Sequence, residues 1–298
     1  MKNKSVKDNI VNVKRQLLRL GTFLLLTGVF FVSSTHAQAS VKKLQIMHNG
    51  KKSCQVDLNG DGKKEKLKLK WNGDAVGKAK LYVNGKKALT LKDPVWVYDM
   101  GIDYIKMSKS KIFIRCYTSG DSDIVGSDYF YRYDSAKKKM VRVAKLLDIN
   151  ENGISTKIKS VTSSEVKVTY CHRLDVVGHV LWTATYVAKD GKLKLKQTAS
   201  KAKCAYSTKY GDPDGYGKLL EKNKYKAVYD LLFYTDGSMS KVAYYVKAKE
   251  IVILKKVKYV KGKWYVQFEK DGKLGWTNLI GYGSKEIFYG VQARMNVG

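Results

Sequence analysis

A run of oxygen-bearing residues near the start of the chain, VDLNGDGKKEKLKL, has the spacing of a metal-binding loop. Oxygen-bearing side chains recur at every second position, and Gly62 at the sixth position permits a tight turn. The residues that would supply oxygen ligands are Asp57, Asn59, Asp61, Lys63 through its backbone carbonyl, and Glu65. Oxygen atoms that converge in this way suit calcium, which takes six to eight such ligands. The sequence therefore predicts one weak calcium site, with affinity on the order of 0.1 to 1 mM.

The residues that follow this loop separate it from an EF-hand. An EF-hand ends in a bidentate Glu at position 12 and continues as a helix, whereas Lys68 stands there and a strand-like alternation follows. The segment instead resembles the D-x-N-x-D-G-x-x-E/D loop of FG-GAP repeats, which implies a calcium-holding loop between two strands. The pattern occurs once, without the Phe-Gly and Gly-Ala-Pro signatures, so a seven-bladed propeller is not expected. A polar hairpin turn without metal is the alternative.

Residue types suited to catalysis are few. Beyond the first 39 residues the histidines are His48, His172 and His179. Cys171 and His172 are neighbours on a predicted strand, so they point to opposite faces and cannot pair as nucleophile and base. A zinc site that adds Asp175 and His179 to this pair fits no closed-site spacing. Because GxSxG, HExxH, CxxC, P-loop and GxGxxG motifs are also missing, the sequence predicts that the protein is not an enzyme.

The last third of the chain carries a second set of candidate residues. The relevant segments are Ile251–Leu254 (IVIL), Gly262–Val266 (GKWYV) and Gly275–Trp276. In order and spacing they resemble the bacterial SH3-like domain. The resemblance implies a small β-barrel that attaches exported proteins non-covalently to a cell wall.

The first strand of this region departs from the family pattern. Family members often carry Leu-Asn-Val-Arg, where this chain has LLFY at 231–234, so polar groups that some members use for ligands are lost. A ligand groove is predicted to be bordered by Tyr234, Tyr244 and Tyr265. A structural barrel that binds no ligand is the alternative.

Alternating polar and apolar residues dominate the chain after residue 39, as in KIFIRCYT at 111–118. The turn pairs between such segments include Asn84-Gly85, Asp190-Gly191 and Asp271-Gly272. These pairs favour type I′ turns, because both central residues can adopt positive φ. Only Gly217 to Val228 has a helical period. The predicted fold is therefore all-β, with a larger antiparallel β module followed by a small SH3-like β-barrel.

The first 39 residues have the features of a secretory signal peptide. A basic segment precedes the apolar run Leu20–Val32, and Ala37-Gln38-Ala39 offers a cleavage site. The apolar run is shorter than the roughly 20 residues of a spanning helix. We therefore predict cleavage after Ala39 rather than a membrane anchor, a secreted, extracellular or cell-wall-associated mature protein, and no transmembrane segment in the mature chain.

A change in composition divides the mature chain. Between about Thr198 and Asn223, Gly, Asp, Ser and Pro cluster and the strand alternation stops. The predicted organisation is a signal peptide at 1–39, a β-rich module with the acidic loop at 40–205, a linker at 206–221, an SH3-like domain at 222–290 and a tail at 291–298.

Charge and cysteine content limit the partners and the compartment. Cleavage would leave 259 residues with 51 Lys and Arg and 25 Asp and Glu, a net charge of +26. Such a surface attracts anionic polymers, but its single lysines on alternating strands predict no specific nucleic-acid partner. The cysteines are Cys54, Cys116, Cys171 and Cys204. They permit two disulfides in three connectivities, or four buried free thiols.

These observations favour a secreted, non-catalytic binding protein that is cell-wall associated through its SH3-like domain. The expected partner is a cell-wall polymer or a peptidoglycan peptide. One alternative is a cell-wall hydrolase of unrecognised type. The other is a charge-driven polyanion binder, whose binding would be lost at moderate salt.

Overall fold

The computed structural model describes residues 39–291, except 48–49, 73–77, 93–96, 121–124, 146–152, 197, 209–211, 213 and 279–284. Almost all of the predicted signal peptide and of the predicted tail therefore lies outside the described residues. The described chain consists of antiparallel strands and one short helix, so the all-β prediction is confirmed. Within it, no helix is long and apolar enough to cross a membrane.

The first nine strands form two sheets. In chain order they are β1 (Ser40–Met47), β2 (Lys51–Val56), β3 (Glu65–Asn72), β4 (Lys78–Val83), β5 (Lys86–Lys92), β6 (Val97–Lys106), β7 (Ile112–Gly120), β8 (Val125–Asp134) and β9 (Lys139–Lys145). Strands β2 to β5 pair in sequence order as a four-stranded sheet. Strands β1, β6, β7, β8 and β9 pair in that order as a five-stranded sheet.

The remaining strands form one larger sheet. They are β10 (Gly153–Val161), β11 (Glu165–Leu174), β12 (Gly178–Lys189), β13 (Lys192–Leu195), β14 (Ser200–Cys204), β15 (Lys224–Lys226), β16 (Leu231–Tyr234), β17 (Val242–Val246), β18 (Ile251–Val260), β19 (Lys263–Lys270) and β20 (Lys273–Asn278). Their order is β10-β11-β12-β14-β18-β19-β20-β16-β17, with β13 paired to β12 and β15 paired to β18.

The five-stranded sheet is a middle layer between two cores. Successive residues of a strand point to opposite faces, so β7 contributes to both cores. Ile114 packs with Leu69 and Leu81 of the four-stranded sheet. Phe113 belongs to the core shared with the large sheet, where Phe130 lies 5.8 Å from Tyr186 between ring centroids. The alternation predicted for KIFIRCYT thus serves two interfaces at once.

A buried ion cluster lies on the large-sheet side of the middle layer. Arg115 Nε donates to Asp128 Oδ1 at 2.8 Å, and Arg115 Nη1 donates to Asp103 Oδ2 at 2.9 Å. Arg115 is 2% exposed, and both carboxylates are buried as well. Because a buried charge is costly unless it is paired, this cluster depends on all three side chains.

The large sheet runs across the predicted module boundary. Strand β14, at the end of the predicted first module, pairs with β12 on one side and with β18 on the other. His172 of β11 packs against Trp264 of β19 with ring centroids 5.0 Å apart. The two predicted modules therefore share backbone hydrogen bonds and a core, and their boundaries stay a prediction.

The segment between β14 and β16 contains the helix α1 (Gly217–Glu221). It occupies the end of the predicted linker, and Leu220 buries its side chain in the core of the large sheet. The helical period that the sequence suggested up to Val228 is interrupted, because Lys224–Lys226 forms β15 and pairs with β18. Pairing with a neighbouring strand overrides the weak local preference there.

The three predicted turn pairs adopt the expected backbone conformation. All six residues of the turn pairs 84–85, 190–191 and 271–272 have positive φ, as type I′ turns require. All four cysteines lie in the described residues and no disulfide joins them, as the alternative without disulfides predicts, although Cys54 is half-buried instead of buried. Burial raises the pKa of the Cys116 thiol, which keeps it protonated and unreactive.

Candidate functional site

Asp57 organises the predicted metal loop, which joins β2 to β3. Its Oδ1 accepts a hydrogen bond from the Gly60 N–H at 2.7 Å, and its Oδ2 accepts one from the Gly62 N–H at 3.3 Å. Both glycines have positive φ, at 84° and 89°. The same Oδ2 lies 3.4 Å from Lys106 Nζ on β6. Three donors thus surround this carboxylate.

The other predicted ligands also bind the backbone of the loop. Asn59 Oδ1 accepts from the Asp61 N–H at 3.1 Å, and Asp61 Oδ1 accepts from the Lys63 N–H at 2.7 Å. The hydrogen bond from the Lys63 backbone and that from the Asn59 amide lower the pKa of Asp61. Glu65 Oε2 accepts from the Leu58 N–H at 2.7 Å. These contacts are the local turn-forming contacts typical of Asn and Asp.

The loop is fixed to the middle sheet at two further points. The Tyr104 hydroxyl donates to the Asp57 carbonyl at 2.8 Å. Burial, together with the negative charges of Asp57 and Glu65, raises the pKa of Tyr104 to about 12. A Cβ atom at Gly60 would lie 1.8 Å from the Lys109 carbonyl oxygen, so only glycine permits this approach to the β6–β7 turn.

The loop meets the requirements for calcium in part. Asp57, Asn59 and Asp61 bring side-chain oxygens to one turn, which suits a hard cation. The ammonium group of Lys106 opposes a cation at Asp57, and Glu65 is turned toward the Leu58 amide. Over the described ranges, no three His, Cys, Asp or Glu side chains come together as a metal site. Calcium binding stays a prediction, with Lys106 as its competitor.

The three predicted ligand tyrosines do not share one surface. The Tyr244 ring stacks on Phe233 with centroids 5.0 Å apart, and Tyr244 is 8% exposed. A Cβ atom at Gly275 would lie 2.7 Å from the Tyr244 ring, so the ring fills the space above that glycine. The alternation of β17 directs Tyr244 and Val246 inward. The structure therefore places Tyr244 in the core instead of at the predicted groove.

Tyr234 belongs to a row of paired residues on the face opposite that core. Tyr234 pairs with Trp276, which pairs in turn with Gln267. Gln267 pairs with Lys256, and Lys256 pairs with Lys201. Because paired residues share a face, these five residues form a line over β16, β20, β19, β18 and β14, which we call the cross-strand row. At the usual spacing of strands its length is roughly 19 Å.

Among the predicted ligand residues, only Tyr234 belongs to the cross-strand row, and Gln267 is the most buried of the members that the sequence did not predict. It is 7% exposed, and its Oε1 has no hydrogen-bond donor within reach among the described residues. Tyr265, two residues earlier, lies on the same face, and a Cβ atom at Gly237 in the β16–β17 loop would lie 3.5 Å from the Tyr265 ring. The only signal in the sequence is an uncharged amide at an outward position of WYVQFEK.

His172, a candidate for catalysis by its residue type, is part of the core. His172 is 2% exposed, and its Nδ1 accepts a hydrogen bond from Trp182 Nε1 at 2.8 Å. Its ring lies 5.1 Å from that of Tyr170 and 5.0 Å from that of Trp264, between centroids. Burial lowers the pKa of His172 to about 4, so the ring is neutral at pH 7. His48 lies outside the described residues.

Comparison with known proteins adds no family assignment. No family matches the chain, and no curated protein matches it. The FG-GAP and SH3-like resemblances therefore rest on the residue patterns alone and stay predictions. The loop, the cross-strand row and the charges of the sheet faces are the observations from which a function can be argued.

Proposed function

We propose that this chain is an exported, non-catalytic binding protein that attaches to anionic polymers of the bacterial cell wall through the cross-strand row. The observation that carries the proposal is the unpaired amide oxygen of Gln267, which lies between aromatic and basic side chains. An unsatisfied buried polar group costs about 1 to 3 kcal/mol. A ligand that moves the side chains covering this oxygen aside and supplies a donor would remove this cost.

The composition of the cross-strand row suits a ligand with both charge and hydroxyl groups. Lys201 and Lys256 at one end attract anionic groups. Trp276 and Tyr234 at the other end are half-buried and offer flat apolar surfaces for a sugar ring. The amide of Gln267 can accept from a hydroxyl and donate to an oxygen. A length of roughly 19 Å fits an extended polymer rather than a single small ring.

Net charge adds a second, long-range component. The predicted mature chain carries +26, which attracts any anionic polymer at low salt. At 0.5 M salt the Debye length falls to roughly 4 Å, so attraction beyond direct contact is screened. Binding that persists at this salt concentration must come from short-range contacts. The two components are therefore separable by a salt series.

The face of the four-stranded sheet favours the charge-driven alternative. Lys51 pairs with Lys70, and Lys70 pairs with Lys80, so three lysines occupy adjacent positions on one face of this sheet. Like charges in adjacent positions destabilise a sheet, and an anion bound across them relieves the repulsion. The three paired residues of this row are all lysines, so binding to them should disappear at high salt.

The test is co-sedimentation of residues 40–298 with Gram-positive-type wall sacculi over a range of salt concentrations. The variant Gln267→Leu keeps the side-chain volume and removes the amide from the cross-strand row. The double variant Lys70→Gln with Lys80→Gln removes two charges from the lysine row of the four-stranded sheet. We expect the first to reduce retention at 0.5 M salt and the second to reduce it only at low salt. Loss of all binding at modest salt in the unchanged chain would leave charge alone as the explanation.

The whole chain is the right material for this test. Fragments cut between β14 and β16 would separate β14 from β18 and would divide the His172–Trp264 contact. The same preparation serves for zymography, in which clearing of the wall substrate would favour the hydrolase alternative. The proposal also includes weak calcium binding at the β2–β3 loop, where Asp57, Asn59 and Asp61 supply the oxygen atoms.

A further inference from the structure

Strand β17 differs from the other edge strands of the described structure because it carries no charged residue. The five-stranded sheet ends at β1 and β9, the four-stranded sheet at β2 and β5, and the large sheet at β10 and β17. The sequence of β17 is VAYYV, whereas each of the other five edge strands contains at least two lysines or arginines. Lysines protect an exposed edge, because an added strand would have to accommodate their charge. The edge at β17 lacks this protection.

The backbone of β17 offers hydrogen-bonding groups to an added strand. Its partner is β16, with Leu231 opposite Val246 and Tyr234 opposite Val242. In an antiparallel pair, alternate residues direct their N–H and C=O groups toward the partner, and the residues between them direct theirs away. Among the described residues, none outside β16 forms a backbone hydrogen bond with residues 242–246. The outward groups of this edge therefore have no backbone partner in the described part of the chain.

Apolar side chains follow the same edge. Tyr245 is 68% exposed, and its cross-strand partner Leu232 is 37% exposed. Val242 is 39% exposed and pairs with Tyr234. A residue of an added strand would lie about 5 Å from Tyr245, a distance at which aromatic and β-branched side chains stabilise each other. The edge therefore favours a peptide that is rich in β-branched residues.

Charge distinguishes between a second copy of this chain and another partner. Lys241 precedes β17 and Lys247 follows it, and both are exposed. Along an extended strand they are roughly 20 Å apart. Glu250, the acidic residue closest to Lys247 in sequence, is already paired with Lys270. A second copy with the predicted charge of +26 would be repelled, so the edge is complementary to a peptide with acidic residues at both ends.

We propose that β17 binds an extended peptide of a partner protein, which adds a strand to the large sheet and has β-branched residues between acidic ones. Main-chain hydrogen bonds supply affinity in this mode of recognition. Alternate side chains beside Tyr245 and acidic groups near the two flanking lysines supply specificity. The proposal is independent of the proposed function, because no residue of β17 belongs to the cross-strand row.

The probe is a capped, labelled synthetic peptide in which alternating valine and threonine residues lie between two pairs of acidic residues. Its binding to residues 40–298 is measured by fluorescence anisotropy. The same peptide with N-methylated backbone amides keeps every side chain but loses the donors of a strand. We expect saturable binding at or below about 1 mM, and binding at least about tenfold weaker for the methylated peptide. Hydrogen exchange of the amides at 242–246 should slow with bound peptide, whereas exchange at 157–161 in β10 should not.

The flanking lysines allow a matched comparison of protein variants. Lys241→Gln with Lys247→Gln should weaken peptide binding about two- to tenfold, because each exposed charge pair contributes modestly. Lys157→Gln with Lys159→Gln removes two exposed charges from the edge strand β10 and should change binding less than about twofold. All four side chains are exposed, so unchanged melting temperatures will show that the variants fold.

Four outcomes would overturn the proposal: equally tight binding of the methylated peptide, equal losses in both double variants, unchanged hydrogen exchange at 242–246, or no saturable binding at millimolar peptide. Self-association of the chain that Tyr245→Lys abolishes would also overturn it, because the edge would then belong to a second copy.

Discussion

The β2–β3 loop and the cross-strand row both carry polar groups, but they differ in how those groups are satisfied. In the loop, each carboxylate accepts a hydrogen bond from a backbone N–H nearby in the chain. The donors lie three and five residues from Asp57, two residues from Asp61 and seven residues from Glu65. In the cross-strand row, Gln267 is buried between residues of other strands, and its amide oxygen has no donor among the described residues. A conspicuous polar motif is therefore mostly satisfied within itself, whereas an inconspicuous residue keeps a buried oxygen without a donor.

The difference arises because the hydrogen bonds of the loop depend on residues close in sequence, whereas the surroundings of Gln267 depend on strands far apart in sequence. Contacts between Asn or Asp side chains and backbone two or three residues later follow directly from local spacing. The surroundings of Gln267 follow from the register of four strand pairs that span residues 201 to 276. A one-residue slip in any of them would turn that strand's side chains to the other face.

The largest expected effect concerns buried polar groups that are fully paired, as in the Arg115 cluster. Arg115 lies in the core with two carboxylate partners, so Arg115→Met leaves two buried acidic groups without a cation. We expect the free energy of unfolding to fall by about 3 to 5 kcal/mol in denaturant titrations. The exposed Arg132→Met should change it by less than about 0.5 kcal/mol. A loss below about 1 kcal/mol for Arg115→Met would mean that the buried cluster is dispensable.

The next effect concerns pH and a second polar group with an open position. His172 Nε2 has no partner within the described structure, and burial lowers the pKa of the ring from 6.5 to about 4. Between pH 6.5 and about pH 4, His172 is therefore protonated in the unfolded chain but neutral in the folded chain. Stability should be complete above about pH 6.5 and should fall by about 3 kcal/mol as the pH drops toward 4.

Melting curves over this pH range check the effect, with His172→Gln as the control. Glutamine keeps an acceptor for the Trp182 Nε1–H but does not titrate. The difference in stability between pH 6.5 and pH 4 should shrink in the variant. An identical pH profile for both proteins would assign the acid sensitivity to other groups.

The third effect concerns Gln267, whose buried amide oxygen has no donor among the described residues. Gln267→Leu removes an unsatisfied polar group from a buried position, so stability should stay the same or rise by up to about 1 kcal/mol. Retention on wall sacculi at 0.5 M salt should nevertheless fall about two- to tenfold, since one hydrogen bond to the ligand is lost. If the variant loses stability and keeps its wall binding, the amide has a structural role and the proposed function loses its main support.

Much of the fold was predictable, because strand alternation and turn chemistry are local. The pairs Asn84-Gly85, Asp190-Gly191 and Asp271-Gly272 lie in turns with positive φ, as predicted. The position of Tyr244 was not predictable. Its spacing from Tyr234 and Tyr265 does not show which strand face it occupies, and the irregular pairing beside Ala243 changes the alternation.

The order of the strands in the large sheet was also beyond sequence reasoning. A cluster of turn residues between 198 and 223 indicated a boundary, yet β14 joins β12 to β18 just before most of that cluster. Turn composition predicts where strands end, but it does not predict whether the sheet ends with them.

The smallest expected effect would break the comparison by showing that the β2–β3 loop is open to a ligand as well. Lys106 Nζ lies 3.4 Å from Asp57 Oδ2 and is partly exposed, so it competes with a cation for that carboxylate. Lys106→Gln should tighten calcium binding by about two- to fivefold, equivalent to about 0.5 to 1 kcal/mol. Asp61→Asn should weaken binding, because it removes a charge from the ligand set. The measurement is the rise in melting temperature at millimolar calcium. A rise that is the same in all three proteins would place any calcium elsewhere and would leave the loop as a self-contained turn, which is the role that its internal hydrogen bonds already explain.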